Sequence, residues 1–213
     1  MPVSLRRVFA LLSLILPLSG CLDVDVTMDF KDSDTAEMTV AMEMSREFYD
    51  LTGGGKGQGI CPKAEQGSKA DLVVGEKQVT CRATRTVQIA DMVAGKQGAG
   101  KGIEADKMAL VERLDDDTLR VTMDLTGLMA DRPPQDQGGA EDMLRAAFAG
   151  HALTFRIKAP AIVETTGELS DDGLTATKTI PIAAFLDQPP DFGPPFVTTL
   201  RLRESCWLWV ICG

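Results

Sequence analysis

The sequence is poor in the groups that most enzyme centres are built from. It holds one histidine, His151, in 213 residues. A histidine-rich metal site is therefore excluded, and a nucleophilic centre would have to form around that single imidazole. No Gly-x-Ser-x-Gly or comparable serine elbow accompanies it. The five cysteines, Cys21, Cys61, Cys81, Cys206 and Cys212, include no closely spaced pair of the kind that grips zinc. Basic residues are also short: 22 Lys and Arg stand against 31 Asp and Glu, for a net charge of −9. Such a surface repels phosphates, so no nucleic-acid partner and no electrostatic docking on anionic lipid are expected. No apolar run reaches the roughly 20 residues that a spanning helix needs.

What is present starts at the N-terminus. Arg6-Arg7, an apolar run from Val8 to Leu16, and Leu18-Ser19-Gly20-Cys21 form a secretory leader ending in a small-residue site. The cysteine that closes it is the bacterial lipoprotein pattern, in which a diacylglycerol joins the thiol and the chain is cut before it. The expected layout is a signal peptide over 1–20, one globular domain over 21–205, and an apolar Cys/Trp tail over 206–213. Removing the leader takes Arg6 and Arg7 and no acid, so the mature chain is more acidic still. Two or more acyl chains hold a protein stably on a membrane without spanning it. Leu22 follows the anchor cysteine, where Asp would favour inner-membrane retention. The expected location is thus the periplasmic face of an outer membrane, or the cell membrane where there is only one.

Alternation dominates the rest. Leu22, Val24, Val26, Met28 and Phe30 share one face, and Asp23, Asp25, Thr27 and Asp29 the other, which predicts a half-buried strand. After Asp32-Ser33-Asp34 the pattern resumes, with Ala36, Met38, Val40, Met42 and Met44 inward. The two segments predict an antiparallel hairpin. Ser45 is placed to cap a helical turn that carries Phe48 and Leu51 on one side. A similar unit of strand, turn, strand and helical turn recurs from Leu72, from Met108 and from Ala161. The third of these pairs Ala161–Leu169 with Leu174–Ile182 across Ser170-Asp171-Asp172-Gly173. Ala140–Ala149 predicts the best helix, with Met143, Leu144, Ala147 and Phe148 as its apolar stripe and Gly150 at its end. About nine strands and few helices predict an α+β domain, mainly antiparallel: a curved sheet or half-barrel built from hairpins, with short helices packed on it.

Few residues invite chemistry. Gly95–Gly102 has the Gly/Lys spacing of a phosphate loop, but Gly102 stands where a Ser or Thr must hold magnesium, and no helix follows. The Asp clusters at 32–34, 115–117 and 171–172 lack the ligand pattern of a calcium loop and read as turn caps. His151, at a strand start, reads as structural. No metal, cofactor or catalytic residue is expected. An exported chain meets an oxidising compartment, so Cys61, Cys81, Cys206 and Cys212 are candidate disulfide partners, Cys61 with Cys81 first. Methionine is flexible and suits a cavity that adapts to acyl chains. Met28, Met38, Met42, Met44, Met123, Met143 and Phe148 are therefore the candidate lining of such a cavity, although ordinary core filling is an alternative role.

The order Cys21-Leu22-Asp23-Val24-Asp25-Val26, the hairpin that it opens to Met44, and Leu153–Pro160 followed by Ile162–Gly167 and a strand ending near Ile182 resemble the LppM-like family of bacterial lipoproteins. Where that family has Pro-Gly and Thr-Asn-Gly, this chain has Pro160-Ala161 and Thr166-Gly167. The resemblance implies an α+β domain of lipid-binding type displayed on a lipid anchor, and transfers no functional residue. The expected function is a non-enzymatic envelope lipoprotein that binds a lipid or other apolar ligand. An interaction module for a protein partner of the envelope is the alternative, and a hydrolase ranks third.

Overall fold

A computed structural model describes residues 22–51, 53, 54, 61, 68–95, 109–126 and 141–202. β1 (Leu22–Asp29) and β2 (Thr35–Ser45) form the hairpin that the alternation requires, with Leu22 opposite Met44 and Asp29 opposite Glu37. Asp32 closes the turn: its Oδ1 accepts the N–H of Asp34 at 2.9 Å and that of Thr35 at 2.6 Å. α1 (Arg46–Leu51) follows, and the Ser45 hydroxyl accepts the Phe48 N–H at 3.2 Å as its cap. Tyr49, rather than Leu51, is the residue that α1 buries. The plan repeats in β3 (Ser68–Val74), β4 (Gln78–Gln88) and α2 (Ile89–Val93). β5 (Ala109–Arg113) and β6 (Thr118–Met123) make another hairpin. α3 (Glu141–Ala147), β7 (Ala152–Lys158), β8 (Ala161–Thr165), the two-residue β9 (Glu168–Leu169), β10 (Thr175–Pro181), a 3-10 turn (Ile182–Leu186) and β11 (Phe196–Arg201) complete the order.

These strands build two sheets, in the orders β3-β4-β2-β1-β7-β10-β9 and β5-β6-β11-β8. The domain is α+β and mainly antiparallel, as expected, and where a curved sheet or half-barrel was anticipated its strands fall in two packed sheets. β1 and β7 are the exception: they run parallel, Val24 beside Leu153 and Met28 beside Ile157.

One expected hairpin forms only at its turn end, where Leu169 pairs with Ala176 and Glu168 with Thr177. β8 pairs with β11 in the small sheet, whereas β10 pairs with β7 in the large one. The chain changes sheets at Thr166-Gly167. A Cβ on Gly167 would stand 2.4 Å from the Thr177 carbonyl oxygen and 2.6 Å from Phe196 Cε2. Only glycine fits where the crossing backbone presses on both sheets.

Met28, Phe155 and Ile157 of the large sheet and Val111, Leu119, Val121 and Leu200 of the small one meet in the main core. Both sheets thereby remove their apolar faces from water, at roughly 1.5–3 kcal/mol for each large side chain fully buried. A second cluster, Met44, Tyr49 and Val79, lies at the other end of the large sheet under α1, with Leu22, Met42 and Phe48 against it. Thr39, between the inward Met38 and Val40, is buried as well, beside Thr84, with the two hydroxyls 3.2 Å apart.

Candidate ligand site and anchor end

The predicted cavity lining divides among three places. Met28, Met38 and Met123 are buried in the main core. Met44 is buried in the second cluster, and Met42 packs at its margin. Phe148 is half-buried and meets Phe48 edge-on, with ring centroids 6.4 Å apart. Met143 points into water, 75 % exposed, which corrects the expected stripe. Leu144, Ala147 and Phe148 of that stripe are half-buried as expected, and Glu141 and Arg145 join them in place of Met143. Arg145 sets that orientation: its guanidinium donates to Glu141 Oε1 at 2.7 Å and to Asp187 Oδ1 at 2.8 Å, raising its pKa. A residue two positions earlier on a helix lies on the far side.

An apolar indentation opens where the two sheets meet. Met123 and Leu125, Phe155 and Ile180, Phe192 and Phe196 line it, with a volume of about 10 Å³, room for one water. The segment 187–195 straps its mouth, and Phe192 on that strap packs on Phe185 with the rings tilted and their centroids 4.7 Å apart. Two charges stand beside the strap. Lys178, on the inward parity of β10 between Ala176 and Ile180, donates to the Pro194 carbonyl at 3.3 Å. Asp124 accepts the hydroxyl and the N–H of Thr126, at 2.6 and 2.9 Å, which hold its carboxyl below the usual range. Of the expected cavity lining, Met123 alone borders this site, and its other walls went unforeseen. Its signal was Lys178 itself, a cation where the alternation calls for an apolar residue.

The end of the large sheet at Leu22 is tied down by polar contacts. Asp23 accepts the Ala152 N–H at 2.9 Å and faces His151 Nδ1 at 3.0 Å. The His151 carbonyl in turn accepts the Ile182 N–H at 2.9 Å. Asp25 pairs with Arg156. The lone histidine thus joins β1, β7 and the 3-10 turn, a structural role. The Asp clusters serve as turn caps: Asp115 accepts the Asp117 N–H, and Asp172 accepts the Ser170 hydroxyl and the Leu174 N–H.

Cys61 and Cys81 are disulfide-bonded, with Cα atoms 5.4 Å apart. Cys21, Met108, Cys206, Cys212, the leader, the tail and most of the Gly-rich segments lie outside the described residues. Among the described residues no helix is long and apolar enough to cross a membrane.

The fold is similar to that of the folded domain of LppM from Mycobacterium tuberculosis, solved by NMR. The TM-score is 0.51 at 11% identity, over 88% of this chain and 93% of that one. At such identity the likeness establishes a shared fold. No protein-family model and no curated protein matches the chain.

Proposed function

We propose that the chain is an extracytoplasmic lipoprotein, held by acyl chains on Cys21, whose body binds an amphiphile between its two sheets without catalysing a reaction. The observation that carries the ligand reading is the strapped apolar indentation with Lys178 beside it. Six apolar side chains receive a hydrocarbon tail, and one ammonium faces an anionic head. At about 10 Å³ the space is closed to an acyl chain, so the ligand enters as the strap over 187–195 moves aside. The fold shared with a lipoprotein domain supports the reading, as does the leader that ends in Cys21. The outer-membrane location rests on Leu22 following the anchor cysteine.

The test is a Cys21→Ser body purified from cells and extracted for mass spectrometry. The reading expects a co-purifying amphiphile, lost or depleted in Lys178→Glu. A parent protein that carries no lipid and takes up none from a panel of anionic lipids defeats it.

A second reading is favoured by one margin of the large sheet. Among the described residues β3 ends the strand order and exposes Leu72, Val73 and Val74. An apolar edge strand can accept a strand from another protein. On this reading a Val73→Lys substitution abolishes capture of an envelope partner and leaves any bound lipid in place.

A further inference from the structure

Resting on the reading of Cys21 as the anchor, we infer that the end of the body formed by α1, α3 and the start of β1 sits directly on the lipid surface as a fixed seat.

The first reason is the absence of slack. Leu22, the residue after Cys21, is already in register with Met44, and consecutive Cα atoms are about 3.8 Å apart. Acyl chains on Cys21 therefore hold the sheet end itself at headgroup depth. Nor can β1 peel away to serve as a tether. It lies between β2 and β7 inside the large sheet, and Asp23 ties its first turn of chain to His151 and Ala152.

The second reason is what this end shows to its surroundings. Leu51 and Met143, 80 % and 75 % exposed, are the most exposed large apolar side chains among the described residues. One closes α1 and the other lies on α3, and the two helical segments are joined through Phe48 and Phe148. Val74, also exposed, ends the row Leu22, Met44, Val79, Val74 across four strands. Exposed apolar side chains on elements at the same end of the sheet as an acylated terminus have an occupant at hand: the acyl and headgroup boundary of the same bilayer.

Charge selects the surface. The cations of these helices already have partners, Arg46 with Asp50 at 2.9 Å and Arg145 with Glu141 and Asp187. Glu47 and Asp142 add further negative charge. The seat therefore suits zwitterionic headgroups and is repelled by anionic ones.

The experiment uses the full lipidated chain reconstituted in phosphatidylcholine vesicles, with Cys206→Ser and Cys212→Ser so that single labels can be placed. Nitroxides go on Leu51→Cys and Met143→Cys, and on Leu110→Cys and Val163→Cys of the small sheet as references. The seat predicts that the ratio of oxygen to nickel-chelate accessibility rises several-fold at 51 and 143 on vesicles and stays unchanged at 110 and 163. Replacing half the lipid with phosphatidylglycerol should reduce the rise. Intact mass separates the possible failures. An acylated Cys21 with positions 51 and 143 as nickel-accessible as the references overturns the seat alone, and a bare thiol overturns the anchor with it. Loss of access to both probes would report a protein contact there and also overturn the seat.

Discussion

The crossing at Gly167 gives the sharpest test of the two-sheet arrangement. Adding one methyl group there places a carbon 2.4 Å from the Thr177 carbonyl oxygen and 2.6 Å from Phe196 Cε2. Phe196 is 2 % exposed and has nowhere to swing, and Thr177 is held in β10 by its pairing with Arg156 and Glu168. The strain must then be met by moving one sheet from the other. Overpacking of this kind costs about 1–3 kcal/mol, and contact with backbone puts Gly167→Ala at the upper end. For a domain of this size that is a fall in Tm of about 6–12 °C. The control is Gly173→Ala, where φ is +73° but no atom lies within 4 Å of the new Cβ; its cost is backbone strain alone, about 1–2 kcal/mol. Thermal unfolding of the Cys21→Ser body, followed by circular dichroism, reads both. Should Gly167→Ala melt within about 2 °C of the parent, or above Gly173→Ala, the close crossing between β10 and β11 is wrong.

Other outcomes follow from single contacts. Replacing Cys61 and Cys81 together by Ala opens the loop they close, a sequence separation of 20, and should cost about 3 kcal/mol on the chain-entropy model, read by chemical denaturation with and without reductant for the parent. Asp23→Ala removes the acceptor of the Ala152 N–H and the partner of His151; with half of that side chain in water, the loss should be about 1 kcal/mol. Asp32, Asp115 and Asp172 have carboxyls held below their ordinary pKa, Asp32 and Asp115 chiefly by backbone N–H groups and Asp172 first by the Ser170 hydroxyl. A depressed folded pKa contributes stability above the unfolded value that disappears as pH falls through the folded one. Stability should therefore decline on the acid side of the normal carboxylate range, and Asp32→Asn should flatten that decline in urea titrations run at several pH values.

The strands could be read from composition because each needs only a period of two and an acidic turn, both local facts. The hairpins β1–β2, β3–β4 and β5–β6 have that character, as do the Asp32 and Asp115 caps. The capping of α1 by Ser45 is local too. Long-range facts were not available in the same way. Nothing within 161–182 announces that Gly167 is pressed between Thr177 and Phe196, so the segment reads as one hairpin when it serves two sheets. The stripe on α3 was wrong at Met143 alone, for a related reason: Arg145 takes a half-buried place because Asp187, 42 positions on, receives it. The candidate ligand site was visible only as an anomaly, Lys178 on an apolar parity, since its other walls come from β6, β7, β11 and the strap. The methionines proved an uneven guide. Met28, Met38 and Met44 share the inner face of one hairpin, yet they fall in two separate clusters.

Both the anchor and the membrane seat depend on the sulfur of Cys21. Intact-mass spectrometry of the protein purified from its own membranes should find a chain that begins at Cys21 and carries the mass of a diacylglyceryl group, with or without a further acyl chain. A mature product with an unmodified thiol at that position, or one that retains residues 1–20, would contradict it.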